Sequence, residues 1–180
     1  RSATGFTNPW GGLTTIGIIT PTTNTVVTSA TPSIYGDSIT LTTTVVASLG
    51  IATGSVTFKE GSTLLGTANL NSSGIASFSI STLAAGNHSF TAVYGGTPDF
   101  TSSVSAPFSF TVTKAALTIT ADDKSKVYGA SLPTLTATYS GLVNGDTSTA
   151  ISGLTLTTTA LASSNVGTYP ITPAGATSGN

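Results

Sequence analysis

Apolar residues alternate with Thr or Ser through most of this chain, and that period of two confines it to β-structure. Leu41-Thr42-Thr43-Thr44-Val45-Val46, Ser55-Val56-Thr57-Phe58, Ala76-Ser77-Phe78-Ser79-Ile80 and Ser89-Phe90-Thr91-Ala92-Val93-Tyr94 all fit strands with one buried and one wet face. So do Phe108-Ser109-Phe110-Thr111-Val112, Leu117-Thr118-Ile119-Thr120, Leu135-Thr136-Ala137-Thr138-Tyr139 and Leu154-Thr155-Leu156-Thr157. Turn formers separate these runs: Pro32, Gly36-Asp37, Gly61, Asn71 and Gly74, Gly86-Asn87, Gly95-Gly96 and Asn144-Gly145-Asp146. Residues 81–85, Ser-Thr-Leu-Ala-Ala, form the one candidate helical turn, and a turn between strands is the expectation there. Short strands without helical periods between them predict an all-β chain of antiparallel sandwiches or small sheets.

Hydroxyls take the place of charge on the wet faces. The chain has 38 Thr and 25 Ser against 5 Lys plus Arg and 6 Asp plus Glu. Thr suits a pleated, half-exposed strand, because its branched Cβ favours extended backbone and its hydroxyl is solvated. The same composition leaves little for chemistry: one His, one Glu, five Asp and no Cys among 180 residues. A formal net charge of −1 with scattered cations argues against nucleic acid or an anionic membrane as partner. No apolar run approaches the roughly 20 residues of a spanning helix, so no membrane insertion is expected. Without Cys there is no disulfide framework or thiolate nucleophile. With Met also absent, the chain carries no oxidation-prone sulfur, which suits extracellular life. The chain has the look of a processed or excised piece.

A boundary falls near Thr113-Lys114-Ala115, where one strong strand pattern ends and another begins almost at once. Three segments follow: 1–22, an N-terminal extension, linker or donor strand; 23–113, a first module; and 114–180, a second. The linker between the modules is too short for a flexible tether. A weak echo links their beginnings. Ile34-Tyr35-Gly36-Asp37-Ser38 precedes a Leu-Thr strand at Leu41, and Val127-Tyr128-Gly129-Ala130-Ser131 precedes one at Leu135.

The first module resembles the bacterial Ig-like repeat family. The residues that carry this are Pro32-Ser33-Ile34-Tyr35-Gly36, Thr53-Gly54-Ser55-Val56-Thr57-Phe58, Leu65-Gly66-Thr67-Ala68-Asn69-Leu70, Leu83-Ala84-Ala85-Gly86-Asn87-His88 and Thr91-Ala92-Val93-Tyr94-Gly95-Gly96. Lys59-Glu60 stands where the family often has Tyr-Asp. The second module resembles the MBG family, a mostly-β, β-grasp-like repeat. That resemblance rests on Leu117-Thr118-Ile119-Thr120-Ala121-Asp122-Asp123-Lys124, Lys126-Val127-Tyr128-Gly129, Tyr139-Ser140-Gly141-Leu142-Val143-Asn144-Gly145-Asp146 and Val166-Gly167-Thr168-Tyr169-Pro170-Ile171-Thr172-Pro173. The family pattern continues for a further strand or two, so the resemblance implies a module incomplete at its C-terminus. Together the resemblances imply an Ig-like antiparallel sandwich in tandem with a small MBG-type module, in a secreted bacterial surface protein.

Candidate sites are few, and each has a bland reading. His88 has no clustered second ligand in the sequence and is expected to be structural. A Ser-His-Asp triad lacks the Gly-x-Ser-x-Gly elbow. Asp122-Asp123, with Asp99, offers too few carboxylates for the roughly six oxygens of a calcium site, and a solvated turn is preferred. Lys59, Lys114, Lys124 and Lys126 raise the question of an isopeptide crosslink, with no sign of the buried acid it requires. The Thr-x-Thr runs lack the regular ranks of an ice-binding face. Asn71-Ser72-Ser73 and Asn87-His88-Ser89 match the N-glycosylation pattern, and the many exposed hydroxyls are open to O-glycans. Residues 13–20 form a strand-like stretch outside both modules. Leu13, Ile16, Ile18 and Ile19 are its possible donor-strand residues; the alternative is a linker strand or the end of a preceding repeat.

The expectation is a non-enzymatic, extracellular structural protein, a section of a cell-surface stalk or adhesin that needs no cofactor and no metal. A filament subunit assembled head-to-tail by strand donation is the first alternative. A glycan-binding module using Trp10 or an exposed Tyr as a stacking platform is the second. Its partners are neighbouring modules of the same or an identical chain, with a cell-surface glycan or protein as a further possibility.

Overall fold

The computed structural model describes residues 6–7, 13–14, 19–29 and 33–179. Among them are two short strands, β1 (Phe6–Thr7) and β2 (Leu13–Thr14), paired antiparallel. Nine more follow: β3 (Thr22–Thr28), β4 (Ser33–Ile34), β5 (Ile39–Ala47), β6 (Ser55–Glu60), β7 (Thr63–Asn69), β8 (Ile75–Ile80), β9 (Gly86–Tyr94), β10 (Ser103–Val104) and β11 (Phe108–Thr113). The remaining strands are β12 (Thr118–Ala121), β13 (Ala137–Ser140), β14 (Ile151–Ser152), β15 (Thr155–Thr158), β16 (Ile171–Ala174) and β17 (Thr177–Ser178). The sole helical element among the described residues is a 3-10 turn at Ser148–Ala150. The chain is all-β, and residues 81–85 form no helix, as expected.

Two compact units divide the chain: Arg1–Ser33, Ser38–Ile80 and Asn87–Thr111 form one, and Ile34–Asp37, Ser81–Gly86 and Val112–Asn180 the other. The first is built on two sheets. One has three strands in the order β3-β5-β8, and the other has the order β4-β11-β9-β6-β7 with β10 also on β9. Alternation decides which side chains meet between them. In β5, Ile39, Leu41, Thr43 and Val45 are buried while the residues between them stay partly solvated. From the other sheet come Val56 and Phe58 of β6, Phe90, Ala92 and Tyr94 of β9, and Phe110 and Val112 of β11. Burying each large side chain stabilises the fold by about 1.5–3 kcal/mol.

Size alternates across the sheet as well. Phe58 stands in register with Gly66 of β7 on one side and Ala92 of β9 on the other. Its ring lies 6.0 Å from that of Phe78 on the opposite sheet. Phe78 in turn lies over Gly66, where an added Cβ would come within 2.2 Å of the ring. The alternation in the sequence predicts a core of Leu41, Val45, Val56, Phe58, Phe78, Phe90, Val93 and Val112, and two of these need correction. Val93 is an outward residue, because the period of two in β9 is set by Phe90, Ala92 and Tyr94; Val93 instead pairs with Val104 of β10. Phe78 is half-buried rather than enclosed.

Hydroxyls close the seam between the sheets. Thr22 donates its hydroxyl to the Thr101 carbonyl at 2.7 Å and lies 3.0 Å from the Ser103 hydroxyl, and its amide donates to Thr101 Oγ1 at 3.0 Å. Buried Asn24 donates to the carbonyls of Ala92 at 3.0 Å and Ser103 at 3.3 Å. Thr43, fully enclosed, donates to the Thr25 carbonyl at 2.6 Å. On the wet face, the register pairs Thr40 with Ser79 and Thr42 with Ser77, and the paired hydroxyls meet at 2.9 and 3.2 Å.

The second unit is thinner. Its ladders are β12-β13, β15-β16 and β14-β17, each two-stranded and antiparallel. Leu117, Ile119, Tyr139, Leu156 and Ile171 alternate onto half-buried positions, yet no residue from 113 to 179 is fully buried. Three of its strands begin one or two residues later than the alternation alone predicts, at Thr118, Ala137 and Thr155. At Asn144-Gly145 the predicted turn is present: both φ angles are positive, 55° and 77°, and the Asp146 amide donates to the Val143 carbonyl at 2.9 Å.

Candidate functional site

One concavity lies wholly within the second unit. Two long connections wall it, one from β12 to β13 and one from β15 to β16, and it encloses about 510 Å³. That size falls within the range of ligand pockets, roughly 300–1,000 Å³. The walls are joined at Ala162, whose carbonyl accepts from the Gly129 amide at 3.0 Å and from Lys126 Nζ at 3.1 Å. Lys126 Nζ also donates to the Val127 carbonyl at 3.3 Å, so two of its three donor positions are engaged by the backbone.

A tight turn presents the most exposed aromatic of this wall. The Ala130 amide donates to the Val127 carbonyl at 3.2 Å, and Gly129 has φ +83°. Tyr128 therefore sits at the corner of a turn that needs Gly at its next position. It lines the cavity and is 69% exposed. The echo at Tyr35-Gly36 has the same construction, with Gly36 at φ +96° and the Asp37 amide on the Ile34 carbonyl at 2.9 Å. Tyr35, though, is half-buried. A second ring, Tyr169, faces the cavity and donates its hydroxyl to the Asn165 carbonyl at 3.1 Å. Pro133 and Pro170 add flat apolar surface.

His88 packs on a neighbouring ring and is paired with a carboxylate. Its ring lies parallel to Phe90 at 5.9 Å, and Nδ1 is 2.8 Å from Glu60 Oε1, with the His88 side chain only 10% exposed. Nothing near His88 in the chain points to this partner, because Glu60 lies 28 residues away and the β6-β9 pairing brings the two together. Asp122 is occupied as well: its carboxylate accepts from the Thr136 hydroxyl. Among the described residues, no three His, Cys, Asp or Glu side chains gather as a metal would require. Lys114 Nζ donates to the Ser178 carbonyl at 3.2 Å. Asn71 Oδ1 accepts from the amides of Ser73 and Ile75, at 2.8 and 3.0 Å, and Asn87 Oδ1 from the Thr111 hydroxyl at 2.9 Å.

Of the donor-strand residues, Leu13 belongs to β2 and pairs with Thr7, and Ile19 is 55% exposed. Ile16 and Ile18, like Trp10, lie outside the described residues. Thr20 bridges in parallel to Phe100, and its amide donates to the Asp99 carbonyl at 2.8 Å. Of the cavity residues, Asp123 figured in the sequence only within the Asp122-Asp123 calcium candidate, and Tyr169 and Asn165 formed no site. For Tyr128 the signals were the Tyr-Gly echo and the general expectation of an exposed Tyr platform.

Comparison with known proteins gives two family matches. Residues 25–113 match the bacterial Ig-like domain (group 3), and residues 117–180 match the MBG domain (YGX type). No curated protein matches the chain. Among solved structures, the chain is similar to the fibronectin(III)-like modules of Clostridium thermocellum CbhA, at 17% identity and a TM-score of 0.40. That match covers 53% of this chain, which spans about half (48%) of the other. Ig-like and MBG domains are typical of bacterial surface proteins, and Ig-like domains are generally non-catalytic. Among the described residues, no helix is long and apolar enough to cross a membrane. The chain thus matches a bacterial Ig-like domain of group 3 over residues 25–113 and, after it, an MBG domain of the YGX type over residues 117–180.

Proposed function

We propose that this chain is a non-enzymatic section of an extracellular bacterial stalk or adhesin. The observation that carries the reading is the direct succession of two surface-module types, with only residues 114–116 between the matched segments. The core of the first unit is filled by side chains, and its lone His is engaged by Glu60, both of which suit a load-bearing spacer better than a catalyst. The test is made on intact source cells carrying the full gene with an epitope inserted at the exposed turn Gly61-Ser62. Antibody and external protease reaching the epitope without lysis is the expected result. Access only after lysis overturns the reading.

A filament subunit is the second reading. It is favoured by the two-stranded ladders of the second unit, whose outer edges have no strand partner among the described residues. Unpaired edges invite strand addition, and Leu13, Ile16, Ile18 and Ile19 of an identical chain are the proposed donor. A head-to-tail contact of that kind propagates when its rotation does not close. Concentration-dependent fibres that disappear on deletion of residues 1–20 support it. A strict monomer in size-exclusion chromatography at high concentration removes it.

A further inference from the structure

We infer that the cavity of the second unit is a binding site for a neutral oligosaccharide, with Tyr128 as its stacking platform. The first ground is an exposed aromatic held in place. Leaving a Tyr 69% exposed forgoes most of the stability its burial would give. The turn alone does not force this, since Tyr35 occupies the same turn position half-buried. Tyr128 is nevertheless fixed on both sides: by the 127–130 turn, and by the Gly129 and Lys126 bonds to Ala162. A ring on a backbone fixed in advance has only its own side-chain rotations left to lose when a ligand lies on it. Its negative face attracts the weakly positive C–H groups of a flat saturated ring.

The second ground is the polar lining. Asp123, Lys124 and Asn165 all line the cavity, and their side chains make no hydrogen bond within the described structure. An ionised carboxylate accepts two hydroxyl protons, an ammonium only donates, and a carboxamide does both. Together they match adjacent hydroxyls, each of which is both donor and acceptor. The third ground is charge. Asp123 and Lys124 offset one another, and Lys126 is engaged by two carbonyls. The one positive charge left over sits on an ammonium already held by two carbonyls of the wall. A ligand with apolar faces, hydroxyl edges and no charge is a pyranose chain. A proline-rich peptide shares the flat faces but lacks donors along its edges, and it would leave Asp123 unpaired.

The experiment uses the full chain. A neutral-glycan array identifies the best sugar, which is then titrated while ¹H–¹⁵N spectra are recorded. Saturable shifts are expected at Lys124, Tyr128, Asn165 and Tyr169. Tyr128→Ala should weaken binding about tenfold, the equivalent of one good aromatic contact, and Tyr128→Phe should keep it. Asp123→Asn should also weaken it. Unchanged melting of Tyr128→Ala shows that the loss is not unfolding, and Tyr128→Phe decides the matter if that variant is unstable. The assignment is overturned by an array on which no neutral sugar binds, by shifts confined to the first unit, by full affinity in Tyr128→Ala, or by a proline-rich peptide binding the cavity where sugars do not. None of these outcomes bears on whether the chain is exposed on cells, so the spacer reading stands or falls separately.

Discussion

At the scale of the residue, facing direction matters more than hydrophobicity. Phe90 and Val93 are both apolar members of β9, but only Phe90 points between the sheets, with 0% exposure. Phe90→Ala should therefore cost about 3–5 kcal/mol, while Val93→Ala should cost less than about 1 kcal/mol, as partly exposed positions do. Denaturant melts of the two variants check this, and similar losses would mean that the face of β9 is misassigned. Gly66 makes the opposite argument, since absence of a side chain is what it contributes. A methyl there meets the Phe78 ring at 2.2 Å, so Gly66→Ala should destabilise by about 1–3 kcal/mol through overpacking. In a double-mutant cycle, Phe78→Leu should relieve part of that loss, because the two residues share one space. Strict additivity would mean that the strain lies elsewhere. The sequence contained Leu65-Gly66-Thr67 as a family-like motif, but nothing local said that its glycine accommodates a ring 12 residues on.

At the scale of the element, the strands were legible and their partners were not. Period two in Ile39–Ala47 fixes which residues face inward, because a slip of one residue would expose Leu41 and Val45. Thr43 follows the same rule although it is polar, and its hydroxyl finds the Thr25 carbonyl. Placing His88 against Glu60, or Thr22 against Thr101 and Ser103, requires knowing which strands are neighbours, and alternation carries no such information. The cavity was illegible for a related reason: two connections build it, and connections have no periodicity. The Thr content also divides by element. At the β3-β10 seam the Thr22 hydroxyl donates to the Thr101 carbonyl and lies against the Ser103 hydroxyl, so Thr22→Val, which keeps the amide bond, should cost about 1–2 kcal/mol. On the wet face Thr42→Val should change stability by less than about 0.5 kcal/mol, since water replaces the Ser77 hydroxyl. Equal effects in chemical melts would mean that the seam bonds do not hold the sheets together.

At the scale of the whole molecule, burial is unevenly shared. Tyr94, Phe58, Phe90, Ile39, Leu41 and Val56 are fully enclosed, and every one belongs to the first unit. From 113 to 179 no residue is fully buried, and the ladders there are two-stranded. Paired strands of that size are marginal unless an apolar face is well covered. Local opening free energy follows buried contacts and backbone protection. Amides of β12, β13, β15 and β16 should therefore exchange with solvent far faster than those of β5, β6 and β9, whose bonds open only with the sandwich. Hydrogen exchange followed by mass spectrometry reads this directly. The Gly129 amide is the informative exception: its bond to Ala162 joins the cavity walls, so a saturating sugar should slow its exchange along with that of the 123–129 and 160–170 segments. Exchange in the second unit as slow as in β5 and β9, without any ligand, would contradict the thin, half-covered ladders from which this expectation is built.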